Sequence, residues 1–198
     1  MRLADVASVL VGVPFRSRIE SEADGAVAVI QARDLSDDGH VDLVSAARVR
    51  NIPRSTKSEL IAGDVVLQPR GARFPVGLFE RADRPAIAAA PLLVIRCDKA
   101  VLAPEFLVLL LQLPSTQAFL RQSAVGTYVP QIPRQAIEDL PVPLPDLPDQ
   151  LRLVDLARLE RRELELMDRL RDRREQLLEV AVRELATKHP KPAKAHAI

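Results

Sequence analysis

Residues 147–186 read LPDQLRLVDLARLERRELELMDRLRDRREQLLEVAVRELA, and the way this stretch is satisfied decides the fold. After Pro148 it contains no Gly and no Pro, and it is rich in Leu, Arg and Glu, all good helix formers. One helix over Asp149–Ala186 would be roughly 57 Å long at the usual rise per residue, too long for an element of a small compact domain. Leu156, Leu159, Leu166, Leu170, Leu177 and Val180 follow an alternating three- and four-residue spacing, the a/d pattern of a helix seam. Glu163, Arg173 and Glu184 stand where that seam calls for apolar residues. Such a helix either lies on its own domain or meets a partner helix. Its length favours a partner, from a second copy or from another protein, with the interrupting charges setting the register.

Working outward, the segment before the helix is DLPVPLPDLPDQ, residues 139–150. Each proline pushes its predecessor out of the helical region, so this is a stiff extended connector, with Asp146 and Pro148 marking the helix start. Upstream of it, PEFLVLLLQL (104–113) predicts a helix opened by Pro104 and ended by Pro114. STQAFLRQSA follows as a second helix capped by Ser115. Residues 126–133 form an extended loop, and 134–140 a further turn of helix.

Residues 1–100 read as β-rich. Leu3–Val11 is a helical turn or a strand, and AVAVIQ (26–31) is a buried strand. Asp37-Asp38-Gly39 is a turn before a short strand over His40–Val44. Gly63-Asp64 turns into a strand over Val65–Gln68, and Val76–Phe79 returns. Ala86–Cys97 reads as one long strand region with an edge or bulge at Pro91. The tail beyond residue 186, TKHPKPAKAHAI, reads as disordered.

Composition limits the functions available. Nearly half of the 198 residues are apolar, but there is no Trp, one Tyr and five Phe, so the core is aliphatic. Cys97 is alone, which excludes an internal disulfide and fits an intracellular compartment; it reads as a small core residue. No apolar run reaches the ~18 residues of a membrane span, so the reading is cytoplasmic, with no membrane partner. The chain lacks a glycine-rich phosphate loop, GxSxG, HExxH and CxxC, and His40 stands alone beside a turn. We therefore expect no catalytic residues, no metal site and no cofactor. Net charge is only +1, and residues 1–140 carry 16 basic and 16 acidic side chains, so any nucleic-acid surface is a local patch.

Two places offer such a patch. The loop PRGARFP (69–75) presents Arg70 and Arg73 at a tip where Gly71 permits close backbone approach. The loop after the second helix offers Tyr128, Gln131 and Arg134. Arg pairs in bidentate fashion with guanine and Gln with adenine. Arg48, Arg50, Arg54 and Lys57 form a basic run suited to backbone phosphates.

The order of these segments resembles a known family. LADVASVLVGVPFRSR, AVAVIQARDL, ELIAGDVVLQPRG and the block LAPEFLVLLLQLPSTQAFLRQSAVGTYVPQIPRQAIEDLPVPLPDLPDQLRLV, followed by the long helix, are similar to the DNA-specificity (S, HsdS) subunits of type I restriction–modification systems. The most specific match is the Gly-led loop, a helical turn, I-x-x-L-P-V-P-L-P, then Asp-Gln and a helix. The resemblance implies an α+β fold: a β-rich target-recognition domain with short helices over 1–145, then one long C-terminal helix over 146–186 pairing in an antiparallel coiled-coil-like arrangement, with 187–198 as a disordered basic tail. It implies double-stranded DNA and a DNA adenine methyltransferase (M) subunit as partners, the latter binding S-adenosylmethionine, with a restriction (R) subunit beyond. The family's usual chain holds two recognition domains and two long helices. This one holds one of each, so it is expected to be either a half-subunit that homodimerises or a fragment; the intact-looking start and the basic tail favour the half-subunit, whose target would be a split palindrome. The competing reading is a protein-interaction module without DNA function, whose long helix recruits a partner.

Overall fold

The computed structural model describes residues 1–50 and 59–188, with side chains through 185. It is α+β, as expected, and its described residues fall into two compact units divided after Val154.

The first unit is built on two sheets. Strands β1 (Ala7–Val11), β7 (Leu93–Cys97), β4 (Asp64–Leu67) and β5 (Val76–Phe79) form an antiparallel sheet in that order. A smaller sheet holds β3 (Ala47–Val49), β2 (Val27–Ile30) and β6 (Ala86–Ala88), with β2 and β6 parallel. Helices α1 (Pro104–Gln112), α2 (Pro114–Ser123) and α3 (Arg134–Glu138) cover the outer face of the larger sheet. The side-chain alternation of a strand then sorts residues between layers. In β4, Val65 and Leu67 join Leu107, Leu111, Leu120 and Ile137 under the helices, whereas Val66 joins Ala28, Ile30 and Ala88 between the sheets. The larger sheet is covered on both faces, which is why Val65–Leu67 and Leu92–Ile95 read as unbroken apolar runs.

The long helix α4 spans Leu147–Lys188. Its first turns belong to the first unit: Val154 is buried and Leu147 packs against the helix-covered core.

Several expectations are corrected. Ala86–Cys97 is two strands in different sheets. Pro91 cannot donate to a ladder, and the chain changes sheet at 89–92, where Leu92 N–H donates to Ala89 O at 3.0 Å. His40–Val44 makes only isolated bridges, Leu35 with Val41 and His40 with Leu78. Arg48 lies not in a loop but in β3, between buried Ala47 and Val49. Pro114 both ends α1 and opens α2, so Leu113, not Ser115, occupies the cap position, and no side chain caps it. Asp64 starts β4 fully buried, its carboxylate held by Arg96 Nε at 2.8 Å and Nη2 at 2.7 Å. Leu3–Val11 turns out to hold both alternatives, a 3-10 turn over Leu3–Asp5 and then β1. The tail, beyond Lys188, lies outside the described residues.

Candidate nucleic-acid interface

The two candidate loops meet. The chain leaves β4 at Gln68, and Gln68 N–H donates to Pro75 O at 2.9 Å, closing the PRGARFP loop at its base. The loop after α2 folds back on itself as Val125 and Gln131 exchange two backbone hydrogen bonds of 2.9 Å, with Gly126 at φ +104°. The loops are then stitched together. Gly71 N–H donates to Pro130 O at 3.0 Å and Ile132 N–H to Pro69 O at 2.9 Å. Arg70 Nε donates to Gln131 Oε1 at 2.7 Å. Buried Ile132 and Phe74 root the pair in the core below the helices.

This arrangement places exposed Arg70 against half-buried Gln131 at the surface. Tyr128, at 102 % relative exposure, stands clear of the protein, flanked in sequence by exposed Val129. An aromatic side chain without protein contacts is available to a ligand's apolar face. Gln131 orients the Arg70 fork through Nε, leaving its two terminal nitrogens to donate elsewhere.

Arg73 faces a different feature of the same loop. It lines an open hollow of about 390 Å³ with Ser36, Asp37, Phe74, Gln117 and Arg121. Gln117 shapes it by donating from Nε2 to Leu111 O at 2.8 Å and Phe74 O at 3.2 Å. Neither guanidinium, of Arg73 or of Arg121, has an ion pair among the described residues. The Asp37 carboxylate at the rim moderates the positive field. Arg121 was not among the expected residues. Its only signal is a basic side chain in the last turn of a short amphipathic helix, which is commonplace.

The remaining candidates are placed elsewhere. Arg134 is tied to Glu138 on its own helix at 2.7 Å. Arg50 is held by Asp24 at 2.8 Å and Glu22 at 3.4 Å. Arg48 belongs to the smaller sheet, with its backbone N–H donating to Ser21 Oγ at 3.2 Å. Arg54 and Lys57 lie outside the described residues.

Gln150, the second residue of the Asp-Gln pair that leads into the long helix, proves structural. Gln150, fully buried, accepts from Ala103 N–H at 2.9 Å through Oε1 and donates from Nε2 to Val101 O and Pro145 O, each at 2.8 Å. It joins the first turn of α4 to the start of α1. In the second unit, by contrast, Leu156, Leu159, Leu166, Leu170, Leu177 and Val180 are all 50–69 % exposed.

Among the described residues no cluster of three or more His, Cys, Asp or Glu could hold a metal ion, and no helix is long and apolar enough to cross a membrane. The Cys97 thiol is pushed up to about 12, first by burial and then by the charges of Asp64 and Glu105.

No family model matches the chain, and no curated protein matches it. Solved structures do. The HsdS subunit from Thermoanaerobacter tengcongensis superposes with a TM-score of 0.56 at 20 % identity, over 85 % of this chain and 38 % of that one. A chain from a structure of complex assembly and conformational transition in the type I R-M system gives 0.66 at 17 % identity, over 91 % and 42 %. The S subunit of the type I restriction-modification system of M. genitalium gives 0.56 at 14 %, over 96 % and 46 %. The chain thus has the fold of type I S subunits and spans less than half the length of these chains.

Proposed function

We propose that this chain is a half-length specificity subunit of a type I restriction–modification system, reading double-stranded DNA in the cytoplasm. It homodimerises through α4 to recognise a bipartite palindromic site. It docks a DNA adenine methyltransferase (M) subunit, which binds S-adenosylmethionine, and through the assembled complex a restriction (R) subunit. It carries no catalytic site or cofactor of its own. The observation that supports this reading is the stitching of the 69–75 and 125–132 loops, which brings Arg70 against Gln131 in a loop that also carries exposed Tyr128, on a domain with the S-subunit fold. Arg and Gln side chains read purine edges, and phosphate contacts fix the docking.

Selection from random duplex DNA tests it. The expected product is an inverted repeat with a spacer, bound with an affinity that falls steeply with salt as counterions are released. A continuous or asymmetric site removes the dimeric reader. Binding absent at low salt removes DNA reading altogether and leaves the alternative, an interaction module whose exposed α4 row recruits a protein partner.

A further inference from the structure

Within α4, several charges are paired along the helix: Arg158 with Asp155 at 3.3 Å, Arg162 with Glu165 at 3.0 Å, Arg171 with Asp168 at 3.2 Å and Arg183 with Glu179. The two charges in the middle of the apolar seam are not. Glu163 has Leu159, Glu160, Leu166 and Met167 at helical-neighbour spacing, and no cation. Arg173 has Arg169, Leu170, Gln176 and Leu177, and its only bond there is a 3.4 Å contact from Nη1 to Gln176 Oε1.

The seam is also palindromic about Asp168. Leu166 and Leu170 lie two residues to either side, Glu163 and Arg173 five, Leu159 and Leu177 nine, Leu156 and Val180 twelve. In an antiparallel pair of helices, each a position faces a d position of the partner. With the two-fold axis at Asp168, every apolar seam residue faces an apolar one, and each Glu163 faces an Arg173. The same register sets Arg152 opposite Glu184, sixteen residues out.

Resting on the dimeric reading above, we propose that α4 pairs with a second copy in one antiparallel register, centred on Asp168 and fixed by two symmetry-related Glu163–Arg173 ion pairs. Alternatives are penalised by the same residues. Sliding by one heptad sets Glu163 against Leu166 or Val180, and Arg173 against Leu156 or Leu170. A parallel in-register pair sets Glu163 against Glu163 and Arg173 against Arg173. Burying a charge against leucine or against a like charge is costly, so two charges in an otherwise leucine-rich seam select one alignment, as polar seam positions do in coiled coils.

The test uses the full chain and two readouts. By sedimentation, Glu163→Arg and Arg173→Glu each weaken self-association roughly ten-fold or more, and mixing the two variants restores a dimer, because every facing pair is again opposite in sign. Under mild oxidation, Glu163→Cys mixed with Arg173→Cys gives a covalent dimer, while either variant alone does not. Self-linking of Glu163→Cys establishes a parallel pair and overturns the proposal. A dimer insensitive to both charge reversals overturns the register and leaves dimerisation standing. A monomeric wild-type chain overturns both.

Discussion

Gln150 Oε1 accepts the backbone N–H of Ala103 at 2.9 Å, and Ala103 is the cap residue of α1. One side-chain amide thereby satisfies the loop before α1 and, through Pro145 O, the connector before α4. All three bonds are buried or half-buried, where an unmade hydrogen bond is expensive.

Gln150→Ala is therefore expected to cost about 2–4 kcal/mol of stability, since it leaves Ala103 N–H and two carbonyls without partners. Urea denaturation followed by circular dichroism measures it. A change below about 0.5 kcal/mol would show that water replaces the amide.

Arg70→Ala with Arg73→Ala should weaken binding to a selected DNA site while leaving the urea midpoint and the oligomeric state unchanged. Each bidentate base contact contributes about 1–3 kcal/mol of discrimination. Arg50→Ala serves as the comparison. Its guanidinium is already engaged by Asp24 and Glu22, so its loss should matter less. Equal effects from Arg50 and from Arg70 with Arg73 would move the interface to the smaller sheet.

Asp34 supplies a pH dependence. Its carboxyl lies above the ordinary value of 3.8, mainly through desolvation by burial, offset by the Gln31 N–H and by Arg33. The folded state holds the proton more tightly than the unfolded chain. The stabilisation from this group is thus fully present below about pH 3.8 and is lost as pH rises through the raised folded value. Asp34→Asn should remove that decline, so the variant gains on the wild type between acid and neutral pH in parallel urea titrations. A constant offset across that window would contradict it.

Cys97 should be inert in the native state. With its thiol pushed up to about 12 and its side chain buried, almost no thiolate exists at pH 8. Labelling with a thiol-specific reagent should proceed only after denaturation. Stoichiometric native labelling would mean that the β1–β7 edge opens.

Local pattern carried much of this molecule. The apolar spacing of 104–113, the prolines at 104 and 114 and the unbroken Leu/Arg/Glu run after Pro148 are signals of period and backbone geometry, read without knowing any neighbour. The failures have separate causes. Ala86–Ala88 and Leu93–Cys97 have the same apolar character, and nothing within them says that one joins β2 and the other β1 and β4. Arg48 looked like part of a basic loop because a three-residue strand is too short to show a period. Ser115 had cap chemistry, but Pro114 had already started the helix.

The composition, the helix and its interrupted seam were thus determined by the amino-acid order alone, because helical neighbours are three and four residues apart in any context. The candidate interface was not. Arg70 and Gln131 are 61 residues apart, and only the docking of the helices on the larger sheet brings their loops into hydrogen-bond range. The same holds for Gln150, an ordinary polar residue in a first helical turn until the fold buries it against a chain segment 47 residues earlier. Side chains that act through long-range neighbours acquire their roles when those neighbours arrive, and pairing over such separations is decided by the whole core rather than by either segment.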